Sequence, residues 1–485
     1  MTSSVDSRRN RDWCFISSDR EHRPERTNSV DQTLPSTDTN RALDSPLTLE
    51  TAVMMTRNRA TIAIVVVCTV LVVGAFALAS GNDGDLTSGE THHVEVPDTI
   101  EALHEEDYTG TNVTLGVIDV ADVSTDNPAV DERLVEYRTF GESAEMHRSR
   151  PDEHGTATTL LAGGVAPDAE LYFAGISDEQ TFAAAVEWLL DEEVDILVAP
   201  ISFYGKPNDG TSFVERAATE AAESGTVFVS PAGNVGQAHW NGRFLPADTG
   251  HQSFEGATRN QLHGESEDVV LWLSWTDPAV DFTLELYREN ETEPVARSRP
   301  YDGDGYPNER LVSTVDTTEN ISFALRGEEA GTGTSVTVTS PTHEFEVAHR
   351  GGSLLPPGTA HDVLTVGAYD ATTGIVEPFS AAGPTRDGRT GVDVVAPGRF
   401  EMTGPGEFDG TSAAAPYVSG VVALLLEADP TLDPDDVLAL LRETATDTPP
   451  YDDTHRVGGG RLNPATALEH TLDGRNSTTP DVPDR

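Results

Sequence analysis

The sequence predicts an α/β fold, a doubly wound parallel sheet interrupted by an antiparallel β-sandwich. Two patterns carry this. Short apolar, β-branched runs alternate with helix-periodic runs in the stretches 95–239 and 351–470, as in a parallel sheet covered on both faces. Between them, residues 240–350 switch to strict two-residue alternation bounded by Asp, Asn, Gly and Pro clusters, as in antiparallel sheets with one buried face.

Along the first stretch, Val113–Asp119 and residues 169–176 read as buried strands. Ser177 and Gln180 form a capping-box pattern ahead of a helix to about residue 192, with Phe182, Ala185, Trp188 and Leu189 at helical spacing. Val194–Ser202 and Thr226–Ser230 are further strands, separated by an alanine-rich helix at 211–224. Within 240–350, the runs 268–276, 281–288, 320–326 and 334–340 alternate as strands. A long apolar helix follows Gly410, running to about Ala428. In sheets of this kind chemistry collects at the carboxyl ends of the strands, where Asp119 and Asn234 both fall.

The 485 residues include 82 acidic against 31 basic side chains, a formal net charge of −51. That balance argues against a nucleic-acid partner, since phosphate binding needs clustered Lys and Arg. Only Lys206 is a lysine, and two cysteines, Cys14 and Cys68, make no disulfide framework. Residues 81–485 hold 73 acids and 22 bases, so they carry the whole net charge. The composition resembles that of salt-loving archaea; molar salt shortens the Debye length to about 3 Å and relieves such self-repulsion.

The amino-terminal part is organised differently. Residues 1–53 lack periodicity and read as a disordered leader, and Met54-Met55 ahead of Arg57 and Arg59 offers an alternative start that would leave them untranslated. Residues 54–80 read as a membrane anchor or signal peptide. The uncharged run 61–79, with arginines before it and Asp83 and Asp85 after it, orients the rest of the chain outward. Ala77-Leu78-Ala79 supplies a cleavage pattern, giving either a cell-membrane protein with its globular part outside or a secreted one. Residues 81–94 read as an exposed linker, including His92-His93, and 471–485 as a disordered tail.

Three motifs fall in order along the sheet: Asp119 at a strand end, His154-Gly155-Thr156 opening a small-residue helix, and Gly410-Thr411-Ser412 opening the apolar helix, with Ala232-Gly233-Asn234 between the last two. Singly, each has a bland reading as a cap or a solvated side chain. Together they resemble the subtilisin family of serine peptidases, in which Asp, His and Ser occur in this chain order. Segments 162–171, 363–368, 379–384 and 392–398 are similar to that family's framework, so the resemblance spans about 95–235 and 350–470.

The resemblance implies a subtilisin-type sheet and an endopeptidase that hydrolyses polypeptide substrates through an acyl-enzyme on Ser412. His154 is then the base, Asp119 its orienting carboxylate, and Asn234 the donor to the oxyanion. It further implies that Ser202, Phe203, Tyr204 and Gly205, with Ala232 and Gly233, line the substrate site, the first four by pairing with an extended peptide. No metal site and no cofactor are expected, beyond weak Ca²⁺ binding by acidic loops.

Among the chain's departures from the pattern, which include Ala414 in place of the usual Met, two bear most on activity. Val120-Ala121 follow Asp119 where the family has a small hydroxyl residue and glycine, which removes an expected hydrogen bond to the carboxylate. About fifteen residues between the apolar run and the first domain are too few for a folded propeptide. These departures sustain a rival reading, a catalytically degenerate member with a surface binding or structural role.

Overall fold

In the computed structural model, strand β1 (Thr114–Asp119) lies inside a seven-stranded sheet, one place from its central strand. The structure describes residues 92–120, 123–141, 153–301, 305–402, 407–448 and 453–478. The chain divides into Met1–Thr61 and Ile62–Arg485, and all described residues belong to the second unit. The leader 1–53, the apolar run 61–79 and most of the linker lie outside the described residues.

The other strands of this sheet are β2 (Leu134–Thr139), β3 (Glu170–Gly175), β4 (Ile196–Val198), β5 (Val227–Pro231), β16 (Leu364–Tyr369) and β17 (Val394–Pro397). Their order is β17-β16-β5-β4-β1-β3-β2, every pairing is parallel, and the winding reverses at β1. Parallel strands with both faces covered need apolar residues at successive positions, and Leu115 to Ile118 with Leu197, Val198 and Phe228 meet that need.

Side chains alternate between the two faces. Leu115 and Val117 join the core beneath helices α3 (Glu153–Val165) and α6 (Thr411–Ala428), whereas Ile118 joins the core under α4 (Glu179–Asp191) and α5 (Phe213–Glu223). Asp119 has the parity of Leu115 and Val117. The alternation that builds the core therefore delivers its carboxylate to the α3–α6 face. Around this frame lie α1 (Asp98–Glu105), α2 (Pro128–Asp131), α7 (Pro434–Thr444), α8 (Thr454–Val457) and α9 (Pro464–Thr478).

Between β5 and β16 the chain forms two antiparallel five-stranded sheets. One has the order β11-β12-β8-β14-β6: β6 (His239–Arg243), β8 (Asp268–Trp275), β11 (Arg299–Pro300), β12 (Asn308–Thr314) and β14 (Ser335–Thr339). The other has the order β10-β9-β13-β7-β15: β7 (Asn260–His263), β9 (Phe282–Arg288), β10 (Ala296–Arg297), β13 (Ile321–Gly327) and β15 (Glu344–Phe345). Leu271, Leu273 and Val338 from the first share one apolar core with Leu284, Leu286 and Phe323 from the second, which makes the pair a sandwich. A two-stranded ribbon of β18 (Arg399–Glu401) and β19 (Glu407–Asp409) precedes α6.

Several expectations need correction. The cap of α4 is Asp178, whose side chain accepts from the Thr181 backbone, not Ser177 with Gln180; Thr181 returns the bond through its hydroxyl. His92 is buried and the neighbouring Val94 bridges to Met402, so the end of the linker packs onto the domain. Helix α9 continues to Thr478, past the start of the expected tail, because its Leu468 and Thr471 face the core. Among the described residues one helix, Thr411–Ala428, is long and apolar enough to cross a membrane. Its burial in the domain marks it as a core helix.

Candidate active site

Asp119, His154 and Ser412 come from the carboxyl end of β1 and the amino ends of α3 and α6, two helices that pack on one face of the sheet. Close approach of these helices depends on Gly420: a Cβ there would stand 2.5 Å from the Val165 Cβ. His154 Nδ1 lies 2.7 Å from Asp119 Oδ2, and both groups are buried, the carboxylate completely. With its proton on Nδ1 toward Asp119, the imidazole keeps Nε2 as its basic nitrogen. The ring also stands edge-on to Phe408, at 5.4 Å and 86°. Phe408 belongs to β19, four residues before Ser412, so the His154 ring abuts the segment that delivers the serine.

Ser412 is the second residue of α6 and 8 % exposed. Its position at a helix amino terminus surrounds it with backbone N–H groups and the positive end of the helix dipole. Gly410, the residue before the helix, has φ of +96°, and a Cβ there would lie 2.7 Å from Asn234 Nδ2. Only glycine satisfies both requirements.

Asn234 is fixed through one end of its amide. Its Oδ1 accepts from the Thr411 backbone N–H at 2.9 Å and from the Thr411 hydroxyl at 2.8 Å, and Thr411 Oγ1 in turn accepts from the Gly233 N–H at 3.2 Å. Holding the carbonyl end by two donors orients Nδ2, a donor, over Gly410 beside the serine turn. Asp409 sits three residues before Ser412; burial pushes its carboxyl up to about 6, Arg399 opposing and Glu407 and Glu377 adding.

The hydroxyl missing after Asp119 comes from elsewhere. Thr158 Oγ1 donates to the same Asp119 Oδ2 at 3.3 Å. Thr158 is one helical turn beyond His154 on α3, so both side chains leave the same helix face. In the sequence the signal for this hydroxyl is the i, i+4 relation of His154 and Thr158, not the residue next to Asp119.

The segment Ser202–Gly205 has no regular secondary structure, ends in a bend at Gly205 (φ +74°) and lies against the sandwich. Ser202 is buried, Phe203 packs edge-on to Phe182 and its N–H donates to the Pro356 carbonyl at 2.9 Å. Tyr204 stacks on Trp272 of β8 with 6.4 Å between ring centres and 16° between planes. Gly205 accepts from Asn308 Nδ2 at 3.1 Å. Lys206 is buried beside Glu179, with the rings of Tyr301 and Tyr306 each 5.7 Å from its ammonium. Ala232 and Gly233 are pinned from the other side, Ala232 N–H to Val366 and Gly233 carbonyl to the Ala381 N–H. Among the described residues no group of three or more His, Cys, Asp and Glu side chains is arranged to hold a metal ion.

A family model described as the subtilase family matches residues 311–460, a stretch that contains Ser412 but not Asp119, His154 or Asn234. The serine protease AprX of Bacillus subtilis is 31% identical over 136 residues, covering 23% of this chain and 30% of that protein. The extracellular serine protease of Serratia marcescens is 21% identical over 392 residues, covering 75% of this chain and 32% of its own length. The chain thus spans about a third of each of these two relatives. The structure of the Clostridium perfringens CspB protease superposes with a TM-score of 0.57 at 17% identity, over 77% of this chain and 97% of that one, which shows a shared fold.

Proposed function

We propose that this chain, a member of the subtilase family, is an exported serine endopeptidase that hydrolyses peptide bonds through an acyl-enzyme at Ser412. The observation that carries the reading is the buried 2.7 Å contact between Asp119 and His154 on the face shared with the amino end of α6. A serine hydroxyl is a poor nucleophile until a neighbouring base takes its proton. His154 Nε2 accepts that proton as Ser412 Oγ attacks the scissile carbonyl carbon, and Asp119 stabilises the resulting imidazolium. The carbonyl oxygen becomes an oxyanion, met by Asn234 Nδ2 and by backbone N–H groups at the start of α6. Collapse of the intermediate breaks the C–N bond, the leaving amine takes its proton from His154, and water then repeats the sequence on the ester.

The substrate is an extended polypeptide lying along 202–205 and 232–233. Trp272 stacks on Tyr204 and Asn308 bonds to Gly205, which gives the sandwich a share in fixing this substrate-binding segment. Release of the globular part beyond the membrane, and its operation in strong salt, belong to the same proposal and rest on the run 61–79 and on the charge of residues 81–485. The test is hydrolysis of a fluorogenic peptide by the purified full chain in multimolar salt, with Ser412→Ala as the control. Turnover that disappears in the variant supports the proposal; a folded but inactive wild type overturns it in favour of the degenerate reading.

A further inference from the structure

We propose that Thr158 is a positioning residue for the Asp119–His154 pair: its hydroxyl fixes the plane of the carboxylate that holds the imidazole. This rests on the catalytic reading above. A carboxylate turns about a broad, roughly two-fold torsion, so one hydrogen bond leaves its plane poorly determined. Asp119 receives two from one helix, His154 Nδ1 at 2.7 Å and Thr158 Oγ1 at 3.3 Å, both on Oδ2. The donors sit at positions i and i+4 of α3, which ties the carboxylate to the helix that carries the base. The next residue after Asp119 is Val120, so the strand itself brings no side-chain hydroxyl.

The neighbouring threonines make this use of Thr158 specific. Threonine in a helix commonly returns its hydroxyl to the carbonyl three or four residues back. Thr159 does so, donating to the Gly155 carbonyl at 2.8 Å, and Thr156 accepts from the Ser124 N–H at 2.9 Å. Thr158, itself fully buried, directs its hydroxyl to Asp119. A buried hydroxyl needs a partner, and here that partner is a group of the reaction centre.

The experiment compares Thr158→Val, which keeps the shape and removes the hydroxyl, with Thr158→Ser and with Thr159→Val. Two readouts are taken on the full chain: peptide hydrolysis, and the low-field proton resonance of the His154 Nδ1–H toward Asp119. Thr158→Val is expected to lower kcat about ten-fold with KM changed less than about two-fold, and to move the low-field resonance. Thr158→Ser is expected to recover kcat to within about three-fold of wild type, and Thr159→Val to leave kcat and the resonance unchanged. An unchanged kcat in Thr158→Val, or a serine variant no better than the valine one, overturns the assignment. A wild type without turnover defeats the catalytic reading instead; the resonance then decides alone, and its failure to move in Thr158→Val overturns the role of Thr158.

Discussion

Two buried carboxylates, one in each architectural half, show how similar burial serves different ends. Glu285 in β9 of the sandwich is 2 % exposed and accepts from Tyr287 Oη at 2.7 Å, His251 Nε2 at 3.0 Å and Arg297 Nε at 3.0 Å, with Arg326 3.8 Å away. Burial alone would push its carboxyl up, but the hydrogen bonds from Tyr287, His251 and Arg297 outweigh it and hold it down at about 2. Tyr287 answers in the opposite direction: its own burial and the Glu285 bond raise it to about 12. Asp119 is buried as deeply, yet it meets an imidazole and a threonine hydroxyl. Glu285 also meets an imidazole, His251, but it shares its carboxylate with arginines that have no proton to trade, and together they lock β9, β10, β13 and the His251 loop. The imidazole at Asp119 has no guanidinium beside it among these contacts and stands on the face that carries the start of α6, where taking and returning a proton can serve chemistry.

The comparison breaks most sharply at the reaction centre. Ser412→Ala or His154→Ala should lower kcat about 10⁶-fold, and Asp119→Asn about 10⁴-fold, in peptide hydrolysis, each with the thermal transition kept. Asn234→Ala should cost about 10²–10³ in kcat with little change in KM, because in the proposed mechanism its amide acts on charge that develops only in the transition state. Glu285→Ala should do the reverse. It leaves two arginines and a buried tyrosine without their acceptor, so equilibrium unfolding should show a loss of about 3 kcal/mol, while kcat per folded molecule stays within about two-fold.

Acid sharpens the same contrast. Glu285 has its folded value below the unfolded one, so its contribution is present above about 4.5 and is lost as pH falls from there toward about 2. His239, buried at the first residue of β6 with Nδ1 2.7 Å from the His349 carbonyl, is lowered by burial to about 4. It remains neutral in the folded chain while the unfolded chain takes up a proton, so stability falls between about 6.5 and 4. Unfolding followed from pH 7 to 3 should therefore weaken first through His239 and later through Glu285. His239→Gln should flatten the first part of that curve.

What the sequence made legible follows from how each feature is encoded. Continuous apolar runs announced β1, β3, β4 and β5, and alternation announced β8, β9, β13 and β14, because both periods are local. Strands β6, β7 and β12 escaped: β12 carries Glu309 and Arg310 inside it, and β6 mixes His239 and Trp240 with Asn241 and Gly242, so neither shows a clean period. At the site, Asp119, His154, Asn234 and Ser412 were readable as motifs in order. The hydroxyl of Thr158 was not, since a hydrogen bond between a strand end and a helix depends on packing. The stacking of Tyr204 on Trp272 and the Asn308 bond to Gly205 escaped for the same reason: they join residues 68 and 103 positions apart.

Activation of Ser412 as a nucleophile through His154 is open to a direct experiment, covalent labelling. The folded full chain in multimolar salt is treated with a serine-directed phosphonylating probe, and the modified residue is identified by mass spectrometry. Labelling at Ser412 is expected, abolished in His154→Ala and retained in Glu285→Gln. A folded wild type that takes no label at Ser412, or labelling undiminished in His154→Ala, would contradict it.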